Sequence, residues 1–456
     1  MAAKPSIPKG TRDFLPAEMI RRNFIFDTIK KHFKRFAYVP IETPAMENLS
    51  TLTGKYGDEG DRLIFKILNS GDYLKKANKE YLTQQNSTAL ISSISEKALR
   101  YDLTVPFARF VVQNQNEIQF PFKRYQIQPV WRADRPQHGR YREFYQCDAD
   151  VVGSDSLRYD VEIISLIDEV LSDLGLTDFT IKLNNRKVLA GIAEVMGIAD
   201  RLTDFTVSID KLDKIGEEGV IKELEEKGFP IMTISMTSEL FKLEGEENKL
   251  ALLTNWFDRS EVGRKGLEEI NYVLAGAKNA ELLNAKLQLD ITLARGLNYY
   301  TGSIYEVISN EVKMGSIVGG GRYDDLTGVF GMKGVSGIGI SFGAERIYDV
   351  LTALDRFPEL AKEGVQLLFV NFGEVEAQYC EALLRKVRRE GIHAELYPDN
   401  AKMQKQMKYA HANGVKWVAM VGEDEMKNNT IRLKNMESGE QDDLDLKTVV
   451  SRIKNG

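Results

Sequence analysis

The sequence predicts an α+β protein in which helices flank a sheet, a helical module interrupts that sheet, and a smaller α/β unit follows. Three observations lead to this prediction. An amphipathic helix and extended segments open the chain, Glu/Lys-rich helical segments dominate residues 187–284, and strands alternate with helices after residue 364. The 456 residues are enough for roughly three bodies of about 150 residues each.

The predicted domain boundaries lie where the composition and the pattern of helices and strands change. Residues 1–186 form the first part of a core, which continues over residues 285–356 with strands and many glycines. Residues 187–284 are predicted to be a helical insertion. In residues 364–456, short apolar strands separated by helices predict a small α/β domain with a largely parallel sheet.

Two helices are predicted from apolar periodicity. The first covers residues 17–36, and the second covers residues 157–174, with Ser154 and Asp155 as candidate caps and Gly175 as its end. The apolar stripe of the first helix consists of Met19, Phe26, Ile29, Phe33 and Phe36.

Composition excludes several classes of protein. A net charge of −6 and a mean hydropathy of −0.30 are typical of a globular chain, and no apolar run approaches the ~18 residues of a membrane span. The two cysteines and four histidines form neither a disulfide framework nor a zinc-site spacing, and the sequence leaves any metal ligands unknown. The N-terminus lacks the apolar stretch of a secretory signal, so we expect a cytoplasmic location.

The segment around residues 123–152 carries the clearest polar pattern. Residues 123–142 contain six basic side chains and one acidic side chain, in a chain that is acidic overall. A solvated basic hairpin would explain this charge, but strand parity points to a site. If residues 143–152 form a strand, one face is a core face that consists of Tyr145, Cys147, Ala149 and Val151, and the other carries Phe144, Gln146, Asp148 and Asp150.

The neighbouring strand would extend the same polar surface. Residues 124–132 read as its partner, with Gln126, Gln128 and Arg132 on one face. A sheet face that bears both arginine and carboxylates, next to a basic loop, is suited to bind an anionic and a cationic group together. The prediction is therefore a ligand site on the sheet.

Three further segments are candidates for the same site. Residues 337–346 read as a glycine-rich strand that passes into a helix, although tight packing explains such glycines as well. The chain has neither a G-x-G-x-x-G nor a G-x-x-x-x-G-K-[ST] phosphate loop here. Residues 295–302 place a cation beside two phenols. In residues 100–106, Asp102 and Thr104 share a face if the segment is extended. The polar residues of 295–302 and of 100–106 could also be salt-bridged structural residues.

These segments together resemble the class II aminoacyl-tRNA synthetases, and over nearly the whole chain they resemble the histidyl-tRNA synthetase family. The end of the first helix with residues 38–44 is similar to motif 1, residues 122–153 to motif 2, and residues 337–346 to motif 3. Residues 295–302 (RGLNYYTG) and residues 319–324 (GGGRYD) resemble the two family signatures, with Asn298 where the family usually has aspartate.

The resemblance implies an antiparallel class II core with a helical insertion and a C-terminal anticodon-binding domain. It also implies the roles of the ATP site. Arg132 would contact the α-phosphate, and Arg346 would bind the γ-phosphate and cover the adenine, with Phe144 stacked on the other side. The ATP-binding residues implied in this way are Arg132, Arg140, Phe144, Gly343 and Arg346.

The implied histidine pocket has two parts. Asp102, Thr104 and Gln146 would hold the α-amino group, and Asp150 with Tyr300 would hold the imidazole. Tyr299 and Tyr323 would complete the wall, and Arg295 would bind histidine and act with Arg132 as a catalytic residue by stabilising charge on the α-phosphate. The implied reaction is the formation of histidyl-adenylate and pyrophosphate, followed by transfer of histidine to its tRNA.

The resemblance further implies Mg²⁺ with ATP, a homodimer, and contact of the loop at residues 135–140 with the tRNA acceptor end. Two alternatives come from the same superfamily. A synthetase-like regulatory subunit of ATP phosphoribosyltransferase usually lacks the anticodon-binding domain and the catalytic arginines. A synthetase for threonine, proline or glycine disagrees with residues 295–302.

Overall fold

The computed structural model describes residues 4–137, 139–294, 299–358 and 364–455. They belong to two compact units, residues 1–357 and residues 358–456, which are treated separately below. In the part of the chain that is described, no helix is both long and apolar enough to cross a membrane.

The strands of the first unit are β1 (Val39–Pro40), β2 (Met46–Asn48), β3 (Lys66–Ile67), β4 (Lys97–Leu99), β5 (Phe122–Trp131), β6 (Glu143–Val152), β7 (Phe179–Asn185), β8 (Ala285–Leu289), β9 (Ser303–Ser309), β10 (Val318–Tyr323) and β11 (Gly337–Gly343). Its helices are α1 (Pro16–Arg35), α2 (Leu49–Leu52), α3 (Gly57–Arg62), α4 (Lys79–Thr83), α5 (Ser87–Ile94), α6 (Thr104–Gln113), α7 (Arg158–Asp173), α8 (Arg186–Val195), α9 (Leu202–Ile209), α10 (Leu212–Glu226), α11 (Ile231–Phe241), α12 (Glu246–Trp256), α13 (Glu261–Asn279) and α14 (Ala344–Ala353).

An eight-stranded sheet forms the centre of this unit, in the order β1-β5-β6-β11-β10-β9-β7-β8. All its interior pairs are antiparallel, and only the edge pairs β1·β5 and β7·β8 are parallel. Helices α1, α7 and α14 cover one face and bury a large apolar core with it. The predicted α+β core with a mainly antiparallel sheet is confirmed.

The polar and apolar faces of β6 are divided as strand parity predicts. Cys147, Ala149 and Val151 are buried in the core beneath α1, α7 and α14, while Phe144, Gln146 and Asp148 face a cleft on the other side. Because successive side chains of a strand point to opposite faces, one strand serves both the core and the site.

The predicted second helix matches α7 to within one residue at each end, but its predicted caps are wrong. Helix α7 begins at Arg158, and its N-cap residue Leu157 makes no side-chain capping hydrogen bond, so neither Ser154 nor Asp155 is the cap. Ser154 and Asp155 lie in the irregular segment between β6 and the helix. Gly175 does follow the helix end, with the positive φ of 87° that glycine adopts easily.

Six helices, α8 to α13, lie between β7 and β8 in sequence, and their apolar side chains form a second core. Helices α8 and α13 touch so closely that a Cβ atom at Gly191 would come within 2.4 Å of the Cα of Gly263, and a Cβ atom at Gly263 would come within 2.6 Å of the Phe257 ring. The predicted domain boundaries, including the insertion at residues 187–284, stay predictions.

The second unit is built on a five-stranded sheet in the order β13-β12-β14-β15-β16. Its elements are β12 (Leu367–Phe369), α15 (Glu374–Arg389), β13 (Ala394–Leu396), α16 (Met403–Ala412), β14 (Trp417–Met420), α17 (Glu423–Asn428), β15 (Ile431–Asn435), β16 (Gln441–Leu444) and α18 (Leu446–Asn455). Three strands are parallel, as predicted, but β15 and β16 add an antiparallel hairpin, so the sheet is mixed.

Candidate active site

Side chains from separate segments of the first unit meet in one cleft of about 1570 Å³ on the polar face of the sheet. The predicted site residues that line it are Asp102, Thr104, Arg132, Arg140, Phe144, Gln146, Tyr299, Tyr300, Tyr323, Gly343 and Arg346. Arg295 and Asn298 lie outside the described residues. Asp150 does not line the cleft, because its carboxylate is buried beside Tyr323.

Three arginines concentrate positive charge on one side of the cleft. Arg132 follows β5, Arg140 lies in the connection to β6, and Arg346 is in the first turn of α14. Burial lowers the pKa of Arg346, and the charges of Arg140 and Arg132 lower it further. Like charges held this close favour the binding of an anion between them.

Backbone carbonyls fix two of these guanidiniums. Arg132 Nε donates to the carbonyl oxygen of Tyr101 at 3.1 Å, and its guanidinium carbon lies 5.1 Å from the centre of the Phe144 ring. Arg346 donates from Nε to Gly139 and from Nη1 to Ser316. Each arginine keeps further N–H groups that can bind a ligand.

Asp102 also lines the cleft and is held by three donors. The hydroxyls of Tyr56 and Tyr299 donate to its two carboxylate oxygens at 2.8 and 3.1 Å, and the Val105 N–H donates at 3.1 Å. Burial raises the pKa of Asp102, and these hydrogen bonds oppose that shift because they favour the charged form.

Asp102 and Thr104 are not on one face of a strand, as the sequence analysis supposed. Thr104 is the first residue of α6, and Asp102 precedes the helix and accepts from its N-terminal turn. Pro106, the third residue of α6, fits the first turn of a helix because no backbone donor is needed there. Both side chains nevertheless reach the cleft.

Asp150 belongs to a buried group beside the cleft. The Tyr323 hydroxyl donates to its Oδ1 at 2.6 Å, and Arg124 Nη2 lies 2.8 Å from its Oδ2. Arg124 is fully buried, with its guanidinium carbon 4.2 Å from the centre of the Phe107 ring. The carboxylate lies directly over Gly339, where a Cβ atom would come within 2.0 Å of Oδ1.

Asp148 and Gln146 present acceptors that the protein leaves unused. Asp148 Oδ1 and Gln146 Oε1 are buried and have no hydrogen-bond partner, although Gln146 Nε2 donates to Ser341 Oγ at 2.8 Å. Burial and the nearby charge of Asp150 raise the pKa of Asp148 to about 7, against the opposing effect of Arg124.

The side chains of three tyrosines form the remaining wall of the cleft. The rings of Tyr300 and Tyr323 lie 5.0 and 6.1 Å, centre to centre, from Tyr299 in edge-to-face contacts. Burial raises the pKa of Tyr300, and so do the charges of Asp150 and Asp102. These hydroxyls therefore stay protonated at neutral pH and can donate to a ligand.

The sequence analysis missed three residues of this region. Arg124 could have been found by applying the strand-parity argument to all of β5, because it shares the polar face of that strand with Gln126. It also lies opposite Asp150 in the strand register. Tyr56 and Arg186 gave no comparable signal: Tyr56 precedes a short helix, and Arg186 begins α8, yet both line the cleft.

An antiparallel sheet with arginines from β5 and α14 above one face, and with its other face covered by helices, defines the catalytic core of a class II aminoacyl-tRNA synthetase. Comparison with known proteins narrows this class. A family model described as histidyl-tRNA synthetase matches residues 87–347, and one described as anticodon binding domain matches residues 365–456. The chain belongs to the histidyl-tRNA synthetase family.

Curated relatives named histidine–tRNA ligase match along the whole chain. The protein of Christiangramia forsetii is 60% identical over 100% of both chains, and that of Porphyromonas gingivalis is 56% identical over 99% of both. The crystal structure of histidyl-tRNA synthetase from Nostoc sp. PCC 7120 is 29% identical, covers 100% of both chains and superposes with a TM-score of 0.83.

Proposed function

We propose a division of labour among the cleft residues for the activity that family membership assigns to this chain. The chain is an aminoacyl-tRNA ligase for histidine: it activates L-histidine with ATP and transfers it to tRNA. The observation that carries the assignment of residues is the meeting of a guanidinium cluster with carboxylates and phenols in one cleft.

The arginine side is proposed to hold ATP. Arg132 binds the α-phosphate, because a planar guanidinium offers paired donors to phosphate oxygens. Arg346 binds the γ-phosphate and covers the adenine, Phe144 stacks on the opposite face, and Arg140 adds charge from the rim. Gly343 ends β11 on the cleft wall, where the absence of a side chain lets the nucleotide approach the backbone.

The carboxylate side is proposed to hold histidine. Thr104, Gln146 and Asp102 face the α-amino group, while Tyr300 donates to an imidazole nitrogen and Tyr299 and Tyr323 close the wall. The earlier expectation that Asp150 grips the ring stays a prediction, and its bonds to Tyr323 and Arg124 also suit a supporting role. Such a pocket rejects analogues that lack its polar partners.

The adenylation step needs positioning and charge stabilisation rather than a covalent enzyme intermediate. The histidine carboxylate attacks the α-phosphorus in line with the departing pyrophosphate. Arg132 stabilises the charge that develops there, and Arg295 is proposed to do the same. We expect Arg295→Ala to lower the rate of adenylation by ~10²–10³-fold while histidine binding stays measurable, which is the effect of one lost donor; an unchanged rate would remove Arg295 from the mechanism.

Mg²⁺ is proposed to enter as MgATP. Among the residues that the structure describes, no cluster of three or more His, Cys, Asp or Glu side chains could hold a metal ion. This fits an ion that is carried mainly by phosphate oxygens and water, which is how Mg²⁺ is usually bound at nucleotide sites.

The remaining proposals concern partners and organisation. The loop at residues 135–140 contacts the tRNA acceptor end, and residues 364–456 form the anticodon-binding domain. Residues 1–186 and 285–356 form the catalytic core around the insertion. We propose a homodimer through the motif 1 element, which is supported by β1 at the sheet edge with Val39 47% exposed. The cytoplasmic location is also a proposal.

The test is histidine-dependent exchange between ATP and pyrophosphate. We expect the purified chain to catalyse exchange with histidine and not with proline or threonine; exchange with either of those alone would contradict the specificity. The regulatory-subunit alternative is not favoured, because the arginines at 132 and 346 are in place and the chain matches catalytic relatives through residues 365–456.

A further inference from the structure

The three buried carboxylates near the cleft differ in what they can still bind. Asp102 already accepts from Tyr56, Tyr299 and Val105. Asp150 accepts from the Tyr323 hydroxyl on Oδ1, and its Oδ2 has no hydrogen bond but lies 2.8 Å from the Arg124 guanidinium; the residue does not line the cleft. Both are thus largely satisfied by the protein itself.

Asp148 lines the cleft, its side chain is 2% exposed, and its Oδ1 has no hydrogen-bond partner. Its nearest cation is Arg124, whose Nη2 lies 4.0 Å from Oδ2 but only 2.8 Å from Asp150. Arg124 and the Ser341 hydroxyl lower the pKa of Asp148, so both stabilise its charged form. A buried oxygen without a hydrogen bond is nevertheless costly, so Oδ1 favours a ligand that donates to it.

A second unused acceptor lies on the same face of the same strand. Gln146 is two residues before Asp148 on β6, so both side chains project into the cleft, and Gln146 Oε1 is also unpartnered. The Ser341 hydroxyl accepts from Gln146 Nε2, which aims the amide oxygen away from Ser341. Two neighbouring acceptors, one of them charged, match a ligand group that carries several N–H donors and a positive charge.

We propose that Asp148 contacts the substrate and, with Gln146, binds the α-ammonium group of histidine. This assignment rests on the proposed function, and it adds a binding residue that the family resemblance did not imply. An ammonium group supplies both the charge and the hydrogen bonds that the two acceptors lack, whereas a neutral imidazole supplies a single N–H. Asp102, proposed above to face the same ammonium group, also holds Tyr56 and Tyr299 in place around the ligand.

The test compares Asp148→Asn with the wild-type enzyme in histidine-dependent pyrophosphate exchange. The amide keeps the shape of the carboxylate but loses its charge. We expect the KM for histidine to rise ~10–100-fold, the range for a lost hydrogen bond to a charged group, while the KM for ATP changes less than about threefold. Asp155 is an exposed carboxylate in the irregular segment before α7, so Asp155→Asn is the control and should leave both constants unchanged.

Competitive inhibitors identify the substrate group. Histamine has the amine and the imidazole, and imidazolepropionate lacks the amine. We expect Asp148→Asn to weaken histamine ~10-fold or more and to leave imidazolepropionate nearly unchanged. Equal weakening of both would place Asp148 against the ring and overturn the ammonium assignment.

Proton release gives a readout that a merely structural role would not produce. An ammonium group beside Asp148 lowers the pKa of its carboxyl from about 7, so histidine binding at pH 7 should expel protons from the wild type. Calorimetry in two buffers of different ionisation enthalpy should show that Asp148→Asn releases fewer protons on histidine binding than the wild type does. If the wild type shows no exchange with histidine, the proposed function fails; if it does, and the variant matches it in KM and proton release, only the role of Asp148 is overturned.

Discussion

At the level of single residues, the cleft holds positive charge that the protein does not fully neutralise. Arg346 has a lowered pKa because it is buried near two other guanidiniums, and it donates to the backbone carbonyls of Gly139 and Ser316. Charge arranged in this way before the ligand arrives is available to phosphate without reorganisation.

Removing one guanidinium should therefore weaken ATP binding more than it weakens the fold. We expect Arg346→Ala to reduce ATP affinity ~10–100-fold and to leave the melting temperature of the free protein within a few degrees of wild type. Thermal shift with increasing MgATP measures both quantities. Arg140→Ala, at a site whose side chain is 51% exposed, should have a smaller effect, and an equal effect of the two would argue against a buried γ-phosphate site.

The raised pKa of Asp148 also predicts a pH dependence of stability. In the unfolded chain this carboxyl titrates near its usual value of 3.8, whereas in the folded protein it titrates at about 7. The folded state thus binds the proton more tightly, so this group favours folding below pH 4 and loses that contribution as the pH rises through 7.

Asp148→Asn removes this pH-dependent loss of folding stability because the amide does not titrate. We expect the stability of the variant relative to wild type to increase between pH 5 and pH 8, as measured by urea unfolding of the ligand-free proteins. A difference that stays constant over this range would mean that the carboxyl titrates near its usual value in the folded protein.

At the level of elements, a buried ion pair joins α1 to α14 and β6, the two elements that carry Arg346 and Phe144 of the proposed ATP site. Glu345 of α14 accepts from Arg22 of α1 at 3.0 Å and from the backbone N–H of Tyr145 in β6 at 3.0 Å. Both charged side chains are nearly inaccessible to solvent, so each depends on the other for its compensation. Arg346 directly follows Glu345, and Phe144 directly precedes Tyr145. The ion pair therefore anchors the backbone beside both residues of the proposed ATP site.

Breaking this pair should destabilise the first unit strongly. We expect Arg22→Ala to lower the free energy of unfolding by about 3–5 kcal/mol, because Glu345 would remain as an uncompensated buried charge. The exposed pair of Lys222 and Glu226, with its atoms 3.9 Å apart, provides the control: Lys222→Ala should cost less than about 0.5 kcal/mol. Urea unfolding of both variants distinguishes the two cases.

Helices and strands whose apolar residues recur at a regular spacing could be predicted from the sequence, and elements without such a spacing could not. Strand β6 alternates between polar and apolar residues from Gln146 to Val151, so its two faces followed from parity. The hairpin of β15 and β16 escaped prediction because β16 is almost entirely exposed and polar, and its stability comes from pairing with β15. Buried contacts such as Arg124 with Asp150 needed the register between β5 and β6, which no single strand reveals.

At the level of the whole molecule, each of the two units has a core of its own. In the second unit, Leu367 and Phe369 pack on one face of the sheet and Leu368 and Val370 on the other. A parallel strand that is buried on both faces is typical of a self-sufficient α/β domain. The residues of the cleft all belong to the first unit.

This separation predicts that the two steps of the reaction can be uncoupled. We expect a chain of residues 1–357 to keep histidine-dependent pyrophosphate exchange within about tenfold of the full chain, since no described cleft residue is removed. Charging of tRNA should fall by ~10²-fold or more, because the tRNA would lose one of two linked binding sites. The separately produced residues 358–456 should unfold cooperatively, which far-UV circular dichroism during heating would detect. If the shortened chain charged tRNA as well as the full chain, the second unit would have no part in tRNA binding; if it lost exchange while remaining folded, adenylation would depend on the second unit.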